Sequence, residues 1–259
     1  MKKSYGQHFL KDQSVIEKII KSADLCSGDF VVEVGPGDGA LTHQITCLIG
    51  PTSPTGLILI EADSDLLPNL RAQFISAQLI HADAAQVNID EIVRDKPWIF
   101  ISNLPYNSAN AILMNMLTAQ NPPERSVVMV QKEVGEKMLA KPGDMSLLSV
   151  AVQMYTNPTR VCTVKPGSFN PSPKVDSVVL RLDKKQVVEN AEEIIGLAKI
   201  GFSSRRKQLH RNLADSGIAE SQDIKSILES LGLSPTSRAQ ELSVEEWILL
   251  ADSLTKLPK

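Results

Sequence analysis

The chain has 259 residues, of which 42% are hydrophobic and 22% charged, with a formal net charge of −3. That length is enough for one sizeable core, or one large domain plus a small one, and the balance is that of a soluble globular protein; no run approaches the ~18 apolar residues a membrane span needs. The three cysteines, Cys26, Cys47 and Cys162, lie far apart with no C-x-x-C pair, which argues against a disulfide framework or a zinc site and for a reducing cytosol.

The N-terminus, "MKKSYGQHFLKDQ", has two lysines but no continuous apolar segment behind them, so no secretory signal is expected. An amphipathic helix is predicted over about residues 12–23, with Val15, Ile16, Ile19 and Ile20 at helical spacing. Apolar runs then recur, each followed by a helical or turn segment. Strands are predicted at residues 30–35, 57–63, 79–84, 98–103 and 126–131. Strands alternating with helices predict βαβ units and a parallel sheet covered on both faces. After Leu148 the texture changes: "LSVAVQMYTNPTRVCTV" reads as two strands around a turn at Asn157-Pro158, and residues 175–182 as one more, giving the sheet an antiparallel edge. Beyond residue 186 no strand is expected. Residues 191–202, 205–215, 221–231 and 244–254 read as helices, with Gly217 and Gly232 as stops and "SVEE" as a capping box. The domain boundary is placed at 185, leaving residues 186–259 as a small helical domain.

Charge is uneven along this plan. Acids crowd residues 61–95, whereas "SSRRKQLHRNL" carries Arg205, Arg206, Lys207 and Arg211 with no acid. Whole-chain charge therefore hides a local basic patch of the kind a phosphate backbone would feel, although a solvated helix face would look the same.

"VVEVGPGDGALT" follows the first strand directly. Glycines at 35, 37 and 39 let the backbone turn sharply and approach a ligand at the start of a helix. Gly35, Gly37 and Ala40 satisfy the loose dinucleotide fingerprint. Glu33, two residues before the first glycine, makes E-x-G-x-G-x-G, which resembles the first motif of S-adenosylmethionine-dependent methyltransferases. An acid near the amino end of that cofactor is electrostatically sensible, and near a pyrophosphate it would be poor. Glu61 ends the second strand, where a carboxylate accepts ribose hydroxyls; Asp83 ends the third, where it could accept from an adenine amino group. Each alone is also an ordinary strand-end acid. Together they occupy the rim where open α/β sheets bind ligands.

The fourth strand reaches the same rim in "FISNLPYNSA". Asn103 is placed to present an amide oxygen. Pro105 blocks helical backbone at Leu104, so that carbonyl is free to point into a cleft. Tyr106 offers a ring to stack on a planar base. Two acceptors and a ring make a receptor for an exocyclic amino group on an aromatic ring. A turn alone would also explain Asn103 and Pro105. The motif resembles that of amino-methyltransferases acting on adenine N6 or cytosine N4.

Four further stretches make the resemblance specific. "YGQHFLKD", "VQKEVGEKM", "SFNPSPKVDSVVLRL" and "FSSRRKQLHRNL" match, in order along nearly the whole chain, the motifs of bacterial small-subunit ribosomal RNA adenine dimethyltransferases. The resemblance implies an α/β, Rossmann-like class I S-adenosylmethionine-dependent methyltransferase domain over residues 1–185 and an all-helical RNA-binding domain over 186–259. It implies that His8, Leu10, Gly35, Glu61, Asp83 and Asn103 bind S-adenosylmethionine. It implies that Asn103, Leu104 and Tyr106 hold the target adenine with Phe169 as the opposite stacking face, and that Arg205, Arg206, Lys207 and Arg211 meet RNA. The expected partner is the small ribosomal subunit through its 16S rRNA, for a cytoplasmic monomer with no membrane association and no metal. Without the family, Phe169 is an aromatic beside two prolines and could equally anchor a loop in the core. The chain departs from the family in having His8 where asparagine is frequent, in "NSAN" after Tyr106, and in "KPGDMSLLSV", which lacks the usual Tyr-Gly. Three alternatives stay open on the sequence: a macrolide-resistance methyltransferase of large-subunit rRNA, a dinucleotide oxidoreductase, and an assembly factor whose catalysis matters little.

Overall fold

A computed structural model describes residues 8–50 and 56–257. Tyr5, Gly6 and Gln7 of the entry motif lie outside the described residues. The chain forms two compact units, Met1–Gly135 with Thr156–Lys184, and Glu136–Tyr155 with Lys185–Lys259. The sequence division at 185 and this one differ in where Glu136–Tyr155 goes.

In chain order the first unit contains β1 (Phe9–Leu10), α1 (Gln13–Ala23), β2 (Val31–Val34), α2 (Ala40–Ile49), β3 (Leu57–Glu61), α3 (Leu67–Gln73), β4 (Gln78–His81), α4 (Ile89–Val93), β5 (Ile99–Asn103), α5 (Ala109–Leu117) and β6 (Arg125–Gln131). The chain passes to the second unit within α6 (Lys132–Met138), which is followed by α7 (Leu147–Tyr155). It returns for β7 (Thr156–Val164), β8 (Phe169–Asn170) and β9 (Ser177–Lys184), and ends in α8 (Ala191–Gly201), α9 (Leu209–Asp215), α10 (Ser221–Ser230) and α11 (Val244–Thr255).

β2, β3, β5 and β6 are apolar runs because both faces of the central sheet are covered; every residue of β2 and β3 is buried. Each such Val, Ile or Leu contributes roughly 1.5–3 kcal/mol by leaving water. The seven-stranded sheet runs β4-β3-β2-β5-β6-β9-β7. The first five strands are parallel, while β9 is antiparallel to both β6 and β7, which is the expected antiparallel edge. Strand order reverses between β2 and β5, and Val34 there lies opposite Ser102. The crevice beyond those two strand ends is where such sheets bind ligands. α1 begins where Asp12 caps it by accepting from Ser14 N, and it buries Val15, Ile16, Ile19 and Ile20 in the core.

The expected pair of strands around Asn157-Pro158 is a helix and a strand. Val150, Ala151 and Met154 face inward at helical spacing, and Ser146 and Ser149 exchange hydrogen bonds across the start of α7. This serine pair and tertiary burial override the β-branched content. Pro158 lies inside β7 without disrupting the sheet because β7 is an edge strand.

In the second unit, Gly217 and Gly232 adopt left-handed backbone (φ +72° and +75°) and end α9 and α10, as read from the sequence. The capping box of Ser243 and Glu246 starts α11. A Cβ on Gly201 would lie 2.5 Å from the Trp247 ring, so α8 and α11 meet through a glycine. The helix expected over 205–215 begins only at Leu209. Buried Asn212 donates to Gly201 O (2.6 Å) and Ser204 O (3.1 Å), which fixes residues 202–208 as a loop.

Candidate active site

A cleft of about 450 Å³ opens at the reversal of strand order. Its floor is the glycine loop after β2. Gly35, Gly37 and Gly39 all take positive φ (+64°, +61° and +89°). A Cβ on Gly37 would lie 2.9 Å from the Phe9 ring, and one on Gly39 would lie 2.7 Å from Phe74. Glycine is therefore required for conformation and for space. Phe9 belongs to β1, which pairs with β8 and so lays the N-terminal segment over the loop.

Glu33 sits beneath this loop, 1% exposed, and accepts a 2.7 Å bond from Thr42 Oγ1. Burial pushes its carboxyl up to about 8. Glu61, at the end of β3, lines the cleft and accepts from Asp63 N (2.9 Å) and Gly37 N (3.4 Å). Burial raises its carboxyl as well, against those two amides. Asp83, just past β4, lines the cleft; Ala85 N and the Gln86 side chain donate to its two oxygens. Its loop is held by Asn115 of α5, whose amide donates to Ala84 O (2.9 Å) and Val87 O (2.8 Å). Asn115 has no local sequence signal, since its partners lie far along the chain.

Asn103 lines the cleft and donates through Nδ2 to His8 O at 3.0 Å. That bond orients the amide, and no other described residue donates to Oδ1. Leu104 N bonds Met129 O, and Leu104 O accepts from no described residue. The Tyr106 hydroxyl meets Ser177 Oγ, and its ring lies 5.4 Å from the His8 ring at 36°. Burial raises the Tyr106 phenol above its ordinary range. His8 Nδ1 lies 2.7 Å from Pro171 O, which can only accept, so Nδ1 carries the proton.

The structure thus brings His8, Gly35, Glu61, Asp83, Asn103, Leu104 and Tyr106 to one cleft. It does not bring Phe169 there. Phe169 is 1% exposed, pairs with Leu10 across β1 and β8, and packs in the core. The bland reading, an anchor in the core, describes its place. Leu10 is likewise a core residue, reaching only the small hollow beside Glu33. Arg205, Arg206, Lys207 and Arg211 are exposed in the second unit. Lys207 pairs with Asp215 at 3.0 Å, an exposed pair that contributes little to stability.

A glycine cradle, a strand-end acid and two acceptors without a donor among the described residues meet at the switch point, a donor set that suits an adenosine-bearing cofactor. The fold and cleft define a class I S-adenosylmethionine-dependent methyltransferase. The model of the family described as ribosomal RNA adenine dimethylase matches residues 1–256. The chain belongs to that family.

A curated relative from Dehalococcoides mccartyi strain CBDB1, named ribosomal RNA small subunit methyltransferase A, is 40% identical over 254 residues, covering 95% of this chain and 86% of its own. A relative of the same name from Clostridium perfringens strain SM101 is 36% identical, covering 98% of this chain and 90% of its own. Among solved structures, a dimethyladenosine transferase from Plasmodium falciparum superposes with a TM-score of 0.81 at 26% identity, covering 96% of this chain and 98% of that one. The 23S rRNA methyltransferase ErmE shares the fold, with a TM-score of 0.73 at 22% identity over 96% of this chain and all of that one. Among the described residues no helix is long and apolar enough to cross a membrane.

Proposed function

We propose that the protein transfers methyl groups from S-adenosylmethionine to N6 of two adjacent adenosines in the 3′-terminal hairpin of 16S rRNA, giving N6,N6-dimethyladenosine. It does so as a cytoplasmic monomer acting on the small ribosomal subunit during its biogenesis. The observation that carries this reading is the Asn103 amide, oriented by the His8 carbonyl, whose oxygen, like the Leu104 carbonyl in the same cleft, takes no donor among the described residues.

Gly35, Glu61, Asp83 and His8 would hold the cofactor in the cleft. When bound, S-adenosylmethionine supplies an electrophilic methyl group on sulfonium. The protein must make a poor nucleophile better, because the lone pair of an exocyclic amine is delocalised into its ring. Asn103 Oδ1 and Leu104 O accept the two N–H hydrogens and stabilise positive charge as the nitrogen becomes tetrahedral. The Tyr106 ring holds the base plane by stacking. Transfer leaves a cationic nitrogen that still carries both hydrogens; one, made acidic by that charge, leaves as a proton to water, and one of the two acceptors suffices to hold the remaining N–H for the second transfer. The adenine must leave its stack to reach the cleft, which favours a hairpin over a continuous duplex. Arg205, Arg206, Lys207 and Arg211 bind phosphates in this reading. A dinucleotide oxidoreductase would leave Asn103, Tyr106 and the arginines without a task.

The test is transfer from labelled S-adenosylmethionine to three substrates: small subunits lacking the modification, large-subunit RNA, and free small-subunit RNA. Product nucleosides are then separated. Dimethyladenosine in the small-subunit substrate is expected. Label confined to large-subunit RNA would overturn the assignment in favour of the macrolide-resistance type. No label anywhere, with cofactor still bound, would leave a binding role in ribosome assembly.

A further inference from the structure

The segment from Phe169 to Ser177 is matched by the family motif, yet none of its side chains lines the cleft. Its two ends nevertheless hold cleft residues. Pro171 O accepts a hydrogen bond from His8 Nδ1 at 2.7 Å, and Ser177 Oγ meets the Tyr106 hydroxyl. The segment itself is fixed on the far side, where Lys165 pairs with Asp176 at 2.7 Å and Lys132 N donates to Asp176 O at 2.9 Å.

Ser177 is fully buried at the start of β9, opposite Gln131 of β6. Tyr106 follows β5, on the far side of β6 from β9. The phenol therefore reaches across the end of one strand to a hydroxyl on the next. A fully buried serine hydroxyl in a strand needs a partner, and the Tyr106 hydroxyl is the side-chain partner it has among the described residues. Tyr106 is half-buried, with the His8 ring at 5.4 Å. A tyrosine ring turns through a staggered χ1 and a broad χ2, and fixing its far end removes most of the remaining freedom.

We propose that Ser177 is a positioning residue for methyl transfer: its hydroxyl pins the Tyr106 phenol so that the ring stands at a fixed angle to receive the target base. The proposal rests on the reading of Tyr106 as the base-stacking ring. It makes the Tyr106 hydroxyl, and not only its ring, part of the machinery. Phenylalanine at 106 would keep the stacking face and lose the anchor.

The test is a double-mutant cycle with Ser177→Ala, Tyr106→Phe and both together, assayed on small subunits lacking the modification. Each single change is expected to lower kcat/KM for the RNA about tenfold, the loss of one buried hydrogen bond. The double variant should lose no more than either single one, because both remove the same contact. Additive losses, or a Tyr106→Phe enzyme as active as the unsubstituted one, would overturn the proposal. Tyr106→Phe decides the matter even where Ser177→Ala does not fold. A second readout needs no activity. The chain has three tyrosines. With ring-13C tyrosine, the Tyr106 signal, assigned by its absence in Tyr106→Phe, should shift and average in Ser177→Ala while that of Tyr155 stays put. An unmoved Tyr106 signal overturns the contact. A moved signal, with no methylation by the unsubstituted protein, upholds the contact and sinks the functional reading instead.

Discussion

Asn103 divides its side chain between two tasks: its nitrogen holds the N-terminal segment through His8 O, and in the proposed reaction its oxygen receives the substrate amine. Asn103→Ala removes both the orienting bond to His8 O and the acceptor. Methyl transfer should fall at least about 100-fold, roughly 3 kcal/mol of barrier. Single-turnover transfer at saturating cofactor checks this; a loss below tenfold would remove Asn103 from the centre of the mechanism. Glu33 makes a different prediction. The folded protein keeps its proton up to about pH 8, whereas the unfolded chain releases it near 4.5, as an ordinary glutamate does. The native state thus binds the extra proton between those values. This contribution to stability is full below pH 4.5 and is lost as pH rises through 8. The urea midpoint should therefore fall between pH 4.5 and about 8 as far as this group is concerned and level off above that, and Glu33→Gln, which still accepts from Thr42, should flatten that fall. An equally steep profile in Glu33→Gln would assign the effect elsewhere. At this scale the sequence was informative where chemistry is local. Asn103, Leu104 and Tyr106 lie within one four-residue turn, and all three line the same cleft. Phe169 and Ser177 were not legible, because burial against Leu10 and contact with Tyr106 depend on strands far apart in the chain.

The glycine loop is a packing device as much as a cofactor cradle. Gly37→Ala would place a methyl 2.9 Å from the Phe9 ring at φ +61°. It should cost about 1–3 kcal/mol in stability and weaken cofactor binding, because relief requires Phe9 to lift from the loop. Calorimetric titration with S-adenosylmethionine measures the second effect, and unchanged affinity would mean that the cover over the loop is dispensable. The turn before α9 is the counterpart in the second unit. Asn212→Ala removes the two side-chain bonds to this turn, leaving Gly201 O without its donor while Ser204 O keeps only Lys207 N. A loss of about 1–3 kcal/mol is expected in chemical denaturation. Most elements announced themselves. Strands buried on both faces must be continuous apolar runs, and the end helices carry caps and glycine stops. α7 did not, because its valines favour a strand and only Ser146, Ser149 and tertiary burial decide for helix. The basic stretch looked helical because its apolar spacing continues into α9, whereas Asn212 holds the preceding residues open.

A net charge of −3 conceals the basic loop of the second unit. Arg205→Glu with Arg206→Glu should weaken binding to small-subunit RNA and reduce the slope of log affinity against log salt by roughly 2. Binding of S-adenosylmethionine should stay as it was. A filter-binding salt series measures the slope, and an unchanged slope would mean that these arginines face no phosphate. The break near residue 185 was visible as the end of strand-like texture. That Glu136–Tyr155 folds with the C-terminal helices was not, since a discontinuous unit leaves no local mark in composition.

The pairing of β1 with β8 has a consequence for how the molecule comes into being. Phe9 and Leu10 leave a translating ribosome ahead of the parallel strands, but the strand they pair with, Phe169–Asn170, emerges only after those strands have been made. Until translation has passed residue 170, the segment that covers Gly37 and turns the Asn103 amide has nothing to clip it down. The cleft beneath that segment is therefore among the last features of its unit to be completed, with only β9, the strand that joins β6 to β7, still to emerge.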